Sequence, residues 1–137
     1  MEYTGDMTSL AVWEALSSDK NSYLVDVRTI AEWNFVGVPD LSSIGKELIC
    51  IEWLTFPGNE TNKNFVEELN HYVNTKNNLY FLCRSGSRSS SAATLMSREG
   101  FSFCYNVLDG FEGTMNAIHQ RNAIDGWKFN GLPWVQS

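Results

Sequence analysis

Apolar and polar positions alternate between a helical and a strand-like rhythm along this chain. In residues 8–16 (TSLAVWEAL), Leu10, Trp13 and Leu16 recur on one helical face with Val12 beside them. Residues 22–27 (SYLVDV) form a short apolar run of the kind that makes a buried strand. Thr29 and Glu32 stand three apart, the spacing of a capping box that opens a helix, and Gly37 and Pro39 close it. Residues 47–53 (ELICIEW) predict a second strand. Residues 64–73 (NFVEELNHYV) predict a helix with Phe65, Val66, Leu69 and Val73 on one face. Residues 78–83 (NLYFLC) predict a third strand ending at Cys83, residues 87–98 a helix stopped by Gly100, and residues 103–108 (FCYNVL) a fourth strand. Beyond Asp109 the rhythm fails, and the pattern predicts one more helix followed by an irregular wrap. Strands alternating with helices imply an α/β fold with a central, mainly parallel β-sheet flanked by helices on both faces. In such sheets ligands bind beyond the carboxyl ends of the strands, where Cys83 falls.

The 137 residues suit a single domain spanning 1–137, long enough to bury one ordinary core. A formal net charge of -6 argues against a nucleic-acid partner. No apolar run reaches membrane-span length, and the opening MEYTGDMTSL has no signal-peptide pattern, so no membrane partner and a cytoplasmic location are expected. Three cysteines without CxxC spacing read as reduced thiols, and no His/Cys/Asp/Glu cluster has metal-ligand spacing, so neither a metal nor another cofactor is expected. Cys50 and Cys104 lie inside apolar runs with no basic neighbour and read as small buried hydrophobes. Core packing is the expected use of Trp33, Trp53 and Phe56, and a solvated or capping role that of His71 and His119.

Residues 83–88 read C-R-S-G-S-R and run straight into a helix. Gly86 lets the backbone curl so that successive N–H groups converge, and the helix N-terminus adds unpaired donors at the same place. A free cysteine is only a few per cent thiolate at pH 7, and helix N-termini and cationic neighbours raise that fraction. The loop is therefore expected to supply a reactive thiolate at Cys83 in a cradle that welcomes an anion.

Three segments together carry a family resemblance. CRSGSRS at 83–89 resembles the active-site loop of rhodanese-type sulfurtransferases, DVRTIAEW at 26–33 the segment after the family's first strand, and NVLDGFEG at 106–113 the segment after its last. The tail GWKFNGLPW is similar to that of bacterial single-domain members. The resemblance spans nearly the whole chain and implies that Cys83 takes a sulfane sulfur as a persulfide. The source is thiosulfate or a persulfide donor, and the acceptor is cyanide, a thiol or a carrier protein. It implies a substrate cradle of Arg84, Ser85, Gly86, Ser87, Arg88 and Ser89. Two roles stay open for Arg88, donor contact or a structural ion pair. Asp26 and Arg28, the DVR acid and base, read as supporting or structural residues that pair with one another. Many members carry Gly-His-Ile-Pro-Gly after the first helix; here 37–40 read GVPD and the histidine is missing.

Two other readings accompany this one. A non-turnover persulfide relay or protein-interaction module shares the Cys83 persulfide. A phosphatase or arsenate reductase on a related fold uses Cys-x5-Arg, whereas this loop is Cys-x4-Arg, a shorter turn fitted to one sulfur rather than a tetrahedral oxyanion.

Overall fold

The computed structural model describes residues 2–136. In chain order the elements are β1 (Gly5–Met7), α1 (Ser9–Ser18), β2 (Ser22–Asp26), α2 (Ile30–Phe35), β3 (Val38–Pro39), β4 (Ile49–Cys50), β5 (Leu54–Thr55), β6 (Glu60–Thr61), α3 (Phe65–Asn70), β7 (Asn78–Leu82), α4 (Ser87–Arg98), β8 (Phe103–Val107) and β9 (Trp134–Val135). Five strands form a parallel sheet in the order β1-β8-β7-β2-β4. Two small antiparallel pairs, β3 with β9 and β5 with β6, lie outside it.

The side-chain alternation of each strand feeds two cores. One face of the sheet (Val25, Phe81, Cys83 and Cys104) packs with Phe65 and Leu69 of α3 and with Ala92, Ala93 and Met96 of α4. The other (Leu24, Leu82 and Val107) packs with Val12 and Leu16 of α1 and with Phe111 and Trp127. Helices thus cover both faces, as the alternation predicts.

Local chemistry sets the helix starts. The Thr8 hydroxyl caps α1 by accepting the Ala11 amide. The box read from Thr29 and Glu32 is formed in full at α2. Gly100, with φ +95°, follows α4 as expected of a C-terminal glycine.

Several expectations are corrected. β1 carried no recognisable pattern in the sequence. In α1 Leu10 is exposed, and Val12 and Leu16 are the buried pair. The 47–53 run contributes only Ile49–Cys50 to the sheet, α3 ends at Asn70, and β7 ends at Leu82, one residue before Cys83. Cys50 is exposed on edge strand β4 rather than buried. Phe56 is exposed, while Trp53 packs edge-on against Phe65. His71 is the C-cap of α3.

The segment after β8 forms no helix among the described residues. It is a series of turns held by polar anchors. The buried Asp109 carboxylate collects the Ser9 amide and hydroxyl, the Gly126 amide and the Asn130 side chain, tying the C-terminal segment to the start of α1. The chain then returns as β9 against β3, with Val38 opposite Val135 and Pro39 opposite Trp134. The GVPD segment is therefore half of a β-ladder, and a side chain at Gly37 would lie 2.8 Å from the Val135 carbonyl oxygen.

Candidate active site

Adjacent strands β8, β7 and β2 bring three segments together at their carboxyl ends. They are the turn 108–113, the loop 83–86, and Asp26 with Arg28. The loop is clamped from behind by the turn. The Phe111 amide donates to the Cys83 carbonyl at 2.9 Å, and the Glu112 and Gly113 amides both donate to that of Arg84 at 3.0 and 3.2 Å. Gly110, with φ +66°, presses its Cα against the Arg84 carbonyl, and a Cβ there would collide with backbone. Gly86, with φ +103°, lies so near the Leu108 carbonyl that a Cβ would sit 2.5 Å from its oxygen. The two glycines let two backbones lie almost in contact, and so fix where Cys83 sits.

Cys83 is buried, with 1% of its surface exposed, in the apolar cluster under α4. The Gly86 amide donates to its Sγ at 3.1 Å, and the Ser89 Oγ lies 3.2 Å away. One loop amide reaches the sulfur directly, where the sequence suggested a ring of them. Gly86 is also the N-cap of α4, so the sulfur lies at the electropositive end of a twelve-residue helix. Ser89, wholly buried on the first turn of α4, donates to Asn106 Oδ1 at 2.5 Å.

The two loop arginines are in different situations. Arg88 grips Glu32 through both terminal nitrogens, at 2.6 and 2.9 Å. Burial pushes the Glu32 carboxyl up, but the Arg88 hydrogen bond and charge outweigh it and hold the group below the usual carboxylate range. The same pairing raises Arg88. Glu32 is therefore shared between the cap of α2 and helix α4, which follows the Cys83 loop. Arg84 is exposed and, among the described residues, has no ion-pair partner. Ser87 is exposed and Ser85 half-buried on the same rim.

Asp26 and Arg28 form a fully buried pair, Nη2 to Oδ2 at 2.7 Å, and Arg28 also donates to the Gly37 carbonyl at 2.7 Å. The guanidinium lies 4.2 Å above the Phe111 ring. Arg28 thus braces the floor of the site, joining the end of β2 to the turn that clamps the loop. The sequence did not identify Asn106, Gly110 or Glu32 as parts of this arrangement. Asn106 and Gly110 figured only as members of the family-like segment 106–113, and Glu32 only as part of a cap. Among the described residues no group of His, Cys, Asp and Glu is arranged to hold a metal ion, and no helix is long and apolar enough to cross a membrane.

Known proteins are similar to this chain in sequence and fold. The chain is 40% identical over 131 residues to a protein of Rickettsia conorii, RC0915, covering 94% of this chain and 95% of that one. The crystal structure of Rv0390 from M. tuberculosis superposes with a TM-score of 0.91 at 49% identity, covering 98% of this chain and 99% of that one. The polysulfide-sulfur transferase homodimer from Wolinella succinogenes has the same fold, with a TM-score of 0.67 at 18% identity over 99% of this chain and 80% of that one. Residues 4–137 match the family model described as the STR4 middle domain, and the chain belongs to this rhodanese-like family.

Proposed function

We propose that the protein is a sulfurtransferase in which Cys83 carries a sulfane sulfur between a donor and a nucleophilic acceptor. One observation carries this reading: Cys83 Sγ accepts the Gly86 amide at the N-terminus of α4, beside the exposed Arg84. An amide donor and a helix N-terminus both favour a sulfur anion over a neutral thiol. Arg84 supplies a cation where an anionic donor would arrive.

In the first half-reaction the Cys83 thiolate attacks the outer sulfur of thiosulfate. A Cys83–sulfur bond forms, the sulfur–sulfur bond of thiosulfate breaks, and sulfite departs with that electron pair. The product is a persulfide anion. In the second, cyanide or a thiolate attacks the terminal sulfur and the Cys83 thiolate is released. Charge and sulfur balance in each step without a redox cofactor. With Sγ buried, the donor enters by displacing the rim formed by Arg84, Ser85 and Ser87. Arg88 keeps its Glu32 partner and positions the loop, leaving Arg84 as the donor's cation. A persulfide donor, with a protein thiol as acceptor, uses the same cysteine and the same two steps.

Steady-state kinetics test the reading. Varying thiosulfate at several cyanide concentrations should give parallel double-reciprocal lines, the signature of a covalent intermediate with ping-pong order. Intersecting lines, or turnover that survives Cys83→Ser, would overturn it.

A further inference from the structure

A polar chain, buried at Ser89 and Asn106 and exposed at Asp6, leads away from Cys83 to the far edge of the sheet. Ser89 Oγ, 3.2 Å from the sulfur, donates to Asn106 Oδ1 at 2.5 Å, and Asn106 Nδ2 donates to Asp6 Oδ1 at 3.1 Å. The Tyr3 hydroxyl donates to the same Asp6 oxygen at 2.7 Å. Register explains part of this: Asp6 of β1 and Asn106 of β8 are direct partners, so their side chains share a face. Ser89 is wholly buried and Asn106 is 2% exposed, so water does not compete for the bond between them, while Asp6 at the far end is exposed.

The chain has a direction. A carboxylate only accepts, so Asp6 must face the amide NH2, which leaves the Asn106 oxygen facing Ser89. That oxygen only accepts, so it takes the single Ser89 proton. Ser89 then offers Cys83 a lone pair, which suits a thiol S–H and not a thiolate.

We propose that Asn106, oriented by Asp6, is a positioning residue that sets the balance between thiol and thiolate at Cys83 through the Ser89 hydroxyl. This rests on the reading of Cys83 as the sulfur-carrying nucleophile. When Cys83 loses its proton to solvent, the Ser89 O–H must turn toward the sulfur. Asn106 Oδ1 is then left buried without a donor, so ionisation exchanges one hydrogen bond for another. In the persulfide the charge lies mainly on the terminal sulfur, and Ser89 can return its proton to Asn106. This hydrogen-bond chain therefore favours the thiol and the loaded persulfide over the bare thiolate, opposite in sign to the Gly86 amide and the helix N-terminus.

The other groups facing the sulfur act independently of this chain. The Gly86 amide donates to the sulfur and Arg88 of α4, paired with Glu32 of α2, stands near it; the remaining charged groups of the surrounding elements are the Asp26–Arg28 pair at the end of β2, the exposed Arg84 of the loop and Glu112 of the clamp. All are unchanged in the variants below.

The test is the pH profile of iodoacetamide alkylation at Cys83, read by mass on the Cys83 peptide. Asn106→Leu replaces the amide with a side chain of similar size that cannot take the Ser89 proton. Neutral replaces neutral, so no long-range field changes. Alkylation at pH 6.5 should rise about tenfold and the profile should move to lower pH, the effect of one hydrogen bond to a charged group. In a Ser89→Ala background the same substitution should change the rate by less than about twofold, since no hydroxyl is left to redirect. An unchanged profile in Asn106→Leu, or an equal shift without Ser89, would overturn the proposal.

Asn106→Ala serves if the leucine variant does not fold. Asp6→Ala, at an exposed position, frees the amide to turn and should give the same sign, retained at high salt where a field effect is screened. Thiosulfate loading of the unmodified protein reports separately on the sulfurtransferase reading. Absence of loading with the alkylation contrast intact would sink that reading alone.

Discussion

Cys83, just beyond the end of β7, and Cys104, within the neighbouring parallel strand β8, belong to one apolar cluster, and both are almost wholly buried. Their polar surroundings differ. Cys104 lies within β8, where its thiol makes a long contact, 3.8 Å, to the Phe101 carbonyl, and burial pushes it up. Cys83 lies one residue beyond β7, where an amide and a hydroxyl reach its sulfur and Arg88 stands nearby. Burial alone does not distinguish Cys104 from Cys83, the proposed nucleophile. The donors that the neighbouring backbone can aim at the sulfur do. Cys50 sharpens the point: it is exposed, yet partial burial of its thiol and the nearby Asp26 carboxylate push it up to about 12.

The largest expected effect divides the cysteines. Cys83→Ser should abolish thiosulfate:cyanide turnover. Cys104→Ser should keep it while lowering stability by about 1–3 kcal/mol for a buried hydroxyl in an apolar site. Turnover assays and urea melts on both variants check this, and equal loss of turnover in the two would erase the distinction.

Next in size is the backbone clamp. Gly110→Ala forces a methyl into the Arg84 carbonyl at φ +66°, whereas Gly100→Ala, also at positive φ, meets nothing within 4 Å. The first should cost about 2–4 kcal/mol and the second about 1 kcal/mol, the latter being conformational strain alone. Equal midpoints in urea would show that the close approach does not hold the loop.

The Arg88–Glu32 pair comes third. Glu32→Gln should cost about 1–3 kcal/mol by weakening a charge-assisted bond and a cap together. Its pH dependence has a definite sign. Because the folded carboxyl is held low, its contribution is complete above the unfolded value of about 4.3 and disappears as pH falls through the lower folded value. Thermal melts between about pH 6 and pH 3 should therefore fall more steeply for the native protein than for Glu32→Gln. Parallel curves would contradict the pairing.

Arg84→Ala should have the smallest effect. Stability should stay within about 0.5 kcal/mol, as for an exposed side chain away from structural features. The KM for thiosulfate should rise about fivefold with kcat little changed, the pattern of lost donor binding. A fall in kcat without a change in KM would place Arg84 in the chemistry instead.

The sequence made the loop legible because its chemistry is local. Cys83, Gly86, the two arginines and the following helix fit within one short segment, and the Thr29–Glu32 box is equally local. Asn106 and Gly110 escaped notice because each works through a partner distant in the chain, Ser89 and Asp6 for one and the Arg84 carbonyl for the other. Gly110 signals a turn whether or not another backbone lies against it. Likewise, the C-terminal segment is organised by Asp109, the β3–β9 ladder and Lys128 over Trp134 at 3.9 Å, contacts with no periodic trace. The two-residue strands β4 and β9 are too short to show alternation. Cys50 looked buried because its run is apolar, but an edge strand exposes what a central strand would cover.

Intact mass after incubation with thiosulfate tests the central claim most directly. The native protein should gain one sulfur, about 32 Da, removable by a thiol reductant, and Cys83→Ser should gain nothing, as expected for a covalent nucleophile. The same gain in Cys83→Ser, or none in the native protein with thiosulfate and with a persulfide donor alike, would contradict it.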